Sequence, residues 1–169
     1  QDALGAAIAI EVTYPRAGSQ WAKLTLHVPA RLAVRLQGGS GARAVNLAAL
    51  ELDRASGITT AEDIVGAVTG VLTGSELTIA GAGAVNLTLA GSRARLSRIA
   101  RGITANTRAG RCDISDSQGA VAIDETNTEI SIARHAGPIR TSGTGGRVTI
   151  DDPQQSVEGN VRNAPSSLT

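Results

Sequence analysis

The sequence predicts an all-β chain dominated by a parallel β-helix, a β-solenoid with about 18 residues per rung. Three observations carry this reading. From Val85 onward an apolar doublet, its members two residues apart, returns every nine residues: Val85/Leu87, Ala94/Leu96, Ile103/Ala105, Cys112/Ile114, Val121/Ile123, Ile130/Ile132, Ile139/Thr141 and Val148/Ile150. All but Thr141 are apolar, whereas apolar residues make up 41% of the chain. Turn formers fill the gaps, among them Gly91-Ser92, Gly110, Asp116-Ser117, Gly119, Gly137-Pro138 and Gly145-Gly146. Finally, the only aromatics are Tyr14 and Trp21, and Phe and Met are absent, so Val, Ile, Leu and Ala must fill a narrow core.

A spacing of two places both members of a doublet on one face of a strand. The residues between them, such as Arg95, Thr104, Asp113, Ser131 and Arg140, are mostly polar and suit the outer face. Each unit is then a short strand plus a turn, which could close a hairpin or form the corner of a coil. The 18-residue comparison favours the coil. It stacks Ala94, Cys112, Ile130 and Val148 in one column and Leu96, Ile114, Ile132 and Ile150 in another. Gly137-Pro138 then falls on Arg101-Gly102 and Gly119-Ala120, again at a corner. Charges follow the same step. Arg98, Asp116, Arg134 and Asp152 alternate in sign, Arg93, Arg111, Glu129 and Arg147 form a second outer column, and Arg95 stacks under Asp113. Rungs ~4.8 Å apart would let such side chains meet.

In chain order, residues 1–44 read as an N-terminal β-meander that caps the first rung. Ile8, Ile10 and Val12 alternate, as do Leu24, Leu26 and Val28, and then Leu32, Val34 and Leu36, with loops at residues 15–19 and at Pro29. Residues 45–152 form the solenoid, less regular at first: Leu50/Leu52, Ile58/Thr60, Val68/Gly70 and Leu77/Ile79, with a bulge or wide turn over residues 61–65. Residues 153–169 supply a last strand at Val157, in the column of Ile139, and a polar tail. The start at Gln1 without an initiator Met fits a mature secreted chain.

The search for chemistry returns little. A net charge of +1 gives no drive toward nucleic acid or anionic lipid. No apolar run approaches the ~18 residues of a membrane span. No metal or cofactor motif is present, and Gly143-Thr144-Gly145-Gly146 lacks the Lys of a phosphate cradle and reads as a turn. His27 and His135 are too few for zinc, and His135 reads as an exposed turn residue. Cys112, the only cysteine, points inward as a small hydrophobe. Asn86-Leu87-Thr88 matches a glycosylation sequon by chance, and the threonines (Thr88, Thr104, Thr107, Thr126, Thr128, Thr149) do not fall in one column. Asp113, Asp116 and Asp124 are the candidates for a glycosidase pair, which needs two carboxyls ~5–9.5 Å apart in a cleft. They occupy different columns with only short turns around them, so they read as ion-pair partners.

The chain resembles an adhesin-like family of bacterial envelope proteins. The matching features are Leu24-Thr-Leu-His-Val-Pro29, the strand Leu32 to Leu36, Ala55-Ser-Gly-Ile-Thr-Thr60, and units such as Gly102-Ile-Thr-Ala105 and Gly119-Ala-Val-Ala-Ile123. The resemblance covers roughly residues 20–152 and implies a single-stranded, right-handed parallel β-helix outside the cytoplasm, in the periplasm, at the cell surface or secreted. It brings no functional residues. The expected function is a non-catalytic structural or adhesive module that self-associates through its solenoid ends or meets a surface polysaccharide or protein. A carbohydrate-active enzyme on a β-helix is the alternative.

Overall fold

A computed structural model describes residues 29, 32–38, 41–54, 57–162 and 166–168. They form thirteen strands. These are β1 (Ala33–Gln37), β2 (Gly41–Val45), β3 (Ala49–Arg54), β4 (Gly57–Thr73), β5 (Ser75–Ala90), β6 (Arg93–Arg108), β7 (Arg111–Gln118), β8 (Ala120–Thr126), β9 (Glu129–Ala136), β10 (Ile139–Thr144), β11 (Arg147–Pro153), β12 (Val157–Arg162) and β13 (Ser166–Leu168). Every pairing among them is parallel, so the chain is a β-solenoid of about seven turns.

The long strands β4, β5 and β6 each run around a corner and serve two faces. The first half of β6 pairs with β7 and its second half with β8. One face then continues through β9, β11 and β13, the other through β10 and β12. The predicted columns are present. Ala94, Cys112, Ile130 and Val148 are register partners, as are Leu96, Ile114, Ile132 and Ile150, and all are buried. On the other face Val85, Ile103, Val121 and Ile139 stack in the same way. Burying such columns is the main stabilising term, at ~25 cal/mol per Å² of apolar surface.

Corners are made by left-handed residues, and many are not glycine. Asn46, Asp63, Arg98, Asp116, Arg134 and Asp152 all have φ between 50° and 56°, with Gly81 in the same column. Asn and Asp tolerate this region; Arg does so at a cost of order 1–2 kcal/mol. The second corner uses Gly74, Gly91, Ala109, Asn127 and Gly145. A third bend, at Gly102, Gly119 and Gly137, follows the first closely, and none of the three needs a long loop.

Three expectations need correction. Leu32 to Leu36 is not part of a meander: β1 pairs in parallel with β3, Val34 on Leu50, and β2 pairs in parallel with β4. The coil therefore begins before residue 45. A short 16-residue step from Val34 to Leu50 conceals it, the next step, Leu50 to Val68, being 18. The meander strands expected upstream, with Tyr14 and Trp21, lie outside the described residues. At the other end, Ser166–Leu168 is not tail but β13, paired with β11.

The third correction is a one-residue slip. Thr59 and Ala61, not Ile58 and Thr60, point inward; Thr59 is fully buried and Ile58 is 58% exposed. Register explains it, because Thr59 is held between Ala42 and Leu77 and a slip of one would reverse every side chain of the strand. The predicted irregularity falls slightly later than expected, as a register shift between Ile64 and Ala67.

Candidate functional site

The carboxylates weighed as a catalytic pair are dispersed and engaged. Asp113, on the outside of β7, accepts from Arg111 Nε at 2.9 and 3.0 Å. Asp116, at the corner, accepts from Arg134 Nε at 2.6 Å and Nη2 at 2.8 Å. The Arg134 guanidinium holds the Asp116 carboxyl below the usual carboxylate range. Asp124, on the opposite face, accepts from the Ser142 hydroxyl. Arg134–Asp116 and Arg111–Glu129, at 3.2 Å, fall in the charge columns read from the sequence; Arg111–Asp113 and Arg140–Glu158, at 2.9 Å, are further ion pairs. Arg95 pairs with Glu76 at 3.4 Å rather than with Asp113, although Asp113 is its register partner.

Cys112 is fully buried, and burial pushes its thiol up to about 12, with the Asp113 charge adding to the effect. It has neither the exposure nor the thiolate character of a nucleophile. His27 lies outside the described residues. His135 departs from expectation: it is 1% exposed, in the inward column above Ser117 and below Pro153. The column position of Ile99 was the available signal, since Ser117 and His135 follow it at 18-residue steps. Its Nε2 donates to the Gly119 carbonyl at 2.9 Å, and its Nδ1 is buried without a partner among the described residues. Desolvation holds the imidazole below its usual value, against the opposing pull of the Gly119 and Ser117 backbone.

The sign of this effect is testable. A histidine less easily protonated when folded stabilises the fold fully above the unfolded value of ~6.5, and that contribution is lost as pH falls toward the folded value. Urea melts should show lower stability at pH 5.5 than at pH 8, and His135→Leu should flatten the difference. An unchanged pH slope in His135→Leu would show that the buried imidazole is not its source.

Sequence reasoning missed Glu125. It is 3% exposed, in the inward column after Leu89 and Thr107. Its Oε2 accepts from the Thr128 backbone N–H at 3.1 Å, while Oε1 and the Thr107 hydroxyl are buried without partners among the described residues. Gly143 and Gly146 on the next rung provide the room, because a Cβ at either would strike the Glu125 side chain. The legible signal was the 18-residue step from Glu125 to Gly143 and from Thr128 to Gly146. Among the described residues no group of three or more His, Cys, Asp or Glu could hold a metal ion.

An open groove of about 840 Å³ runs along the second corner. Gly91, Ala109 and Gly110 give it a floor almost without side chains, and Arg93, Arg95 and Arg111 form its wall, with Asp113 and Glu129 between them. A smaller hollow of about 370 Å³ extends it past Gly145 and Gly146 to Arg147. The arginine column was visible in the sequence. The hollow beneath it was not, because it arises from missing side chains at a corner. Comparison with protein-family models, with characterised proteins and with solved structures returned no match.

Proposed function

We propose that this chain is a non-catalytic structural or adhesive module of the bacterial envelope or exterior, similar in kind to the adhesin-like β-helices, and that it self-associates through its solenoid ends. The observation that carries the reading is the continuity of the outer ladders. Outward side chains stack rung over rung on two faces, mostly polar apart from the exposed Ile58 and Val71, with ion pairs from Arg35 against Glu51 at one end to Arg140 against Glu158 at the other. Such a surface is rigid and periodic, as a surface-binding or spacer element requires. The carboxylates of the enzyme reading serve these ladders. Among the described residues the end strands β1, β2, β12 and β13 each pair on one side only, and such edges are a ready template for a second copy.

Incubation of the chain with bacterial and plant polysaccharides, read by reducing-end release, tests the reading. No release is expected, with retention of the chain on immobilised envelope material and concentration-dependent light scattering. Turnover lost in Asp113→Asn or Asp116→Asn would replace it with the carbohydrate-active enzyme.

A further inference from the structure

We propose that the arginine-walled groove along the second corner binds the carboxylate groups of an acidic polysaccharide, a chain bearing uronate sugars. This rests on the adhesive reading above and names its ligand class. Elsewhere the ladders place opposite charges on neighbouring rungs: Arg43 against Glu62 at 2.9 Å, Arg134 against Asp116, Arg140 against Glu158. In the groove the rule breaks. Arg93 and Arg111 are direct register partners, so two cations stack at the ~4.8 Å ladder spacing, and Glu76, the register partner of Arg93 on the preceding rung, pairs with Arg95 instead.

Arg111 has its counter-charges in Asp113 and Glu129. Among the described residues no carboxylate lies within ion-pair distance of Arg93, and Arg95 has only Glu76 at 3.4 Å. An anion from outside would complete the set, and the planar fork of arginine matches a carboxylate.

The remaining lining narrows the class. Asp113 and Glu129 can accept hydrogen bonds from hydroxyl groups set beside the anion. One negative charge per unit set among hydroxyls is the pattern of a sugar acid. The bare floor of Gly91, Ala109 and Gly110 lets such a chain approach the backbone closely. The extension past Gly145 and Gly146 to Arg147 lets it lie across several rungs.

Titration calorimetry of the full chain with oligogalacturonate, its methyl-esterified neutral counterpart and dextran sulfate tests the proposal. Binding of the uronate that weakens with salt is expected, with none of the ester. Arg93→Gln should weaken it at least tenfold and Arg93→Gln/Arg95→Gln should abolish it. Arg98→Gln, the same loss of charge at the other corner, should change it less than twofold. Equal losses in Arg93→Gln and Arg98→Gln would reduce the effect to diffuse charge and overturn the site. Binding of dextran sulfate through Arg93 without binding of uronate would overturn the ligand class. Equal binding of ester and uronate, insensitive to Arg93, would leave an adhesive module whose contact lies elsewhere. Failure to bind uronate, with retention on envelope material intact, would overturn the groove alone; loss of both would overturn the adhesive reading as well.

Discussion

A Cys112→Asp chain is expected to lose more than about 4 kcal/mol of folding stability, enough to unfold most small domains. Cys112 has no exposed surface and is held between Ala94 and Ile130 in a column that is apolar on neighbouring rungs. The protein already resists charge at this point, since its own thiol is pushed up to about 12. An aspartate there would be an ion without a partner. Cys112→Ala should cost far less, because it removes one small atom and introduces no polar group. Urea denaturation followed by circular dichroism separates the two, and a Cys112→Asp chain as stable as the parent would show that this column does not face inward.

Gly137→Ala should have the second largest effect, a loss of about 1–3 kcal/mol from overpacking. Gly137 is buried at a corner, and a Cβ there would overlap the carbonyl of Gly119 one rung below. That carbonyl belongs to backbone fixed by neighbouring ladder bonds, Gly119 N–H to the Ala136 carbonyl at 3.2 Å and Val121 N–H to the Pro138 carbonyl at 2.9 Å. A flexible side chain could swing aside; this backbone cannot move without spreading the rungs. Gly91→Ala is the useful contrast, because no atom lies within 4 Å of a Cβ there and only its φ of 57° opposes the change. Thermal melts of both variants check the order, which is contradicted if Gly137→Ala is the milder of the two.

The parts of the fold legible in the sequence are those where hydropathy and period agree. From Val85 to Ile150 the inward positions are mostly apolar and the step is constant, so the columns could be read directly. Upstream the step varies, 17 residues from Ala42 to Thr59 and 18 from Thr59 to Leu77, and an exposed Ile58 beside a buried Thr59 reverses the hydropathy signal. Glu125 and His135 were misleading for the same reason: polarity assigns them to solvent, and only their place in a column with Leu89 or Ile99 puts them inside. Charge ladders were legible because opposite signs recur at the rung spacing. The groove was not, since its floor depends on which corner residues lack side chains and how the rungs bring them together.

Nitroxide labels at paired positions test the central claim, a parallel coil with an 18-residue rung, most directly. In a Cys112→Ala background, labels at Thr104 and Ala122 would stand on register partners of neighbouring rungs, ~4.8 Å apart along the ladder. Labels at Ala122 and Ser131, nine residues apart, would stand on different faces, on β8 and β9. The coil predicts strong dipolar broadening for Thr104/Ala122 and none for Ala122/Ser131. A meander of nine-residue hairpins would put Ala122 and Ser131 on adjacent strands ~4.8 Å apart and broaden that pair, and that result would contradict the fold.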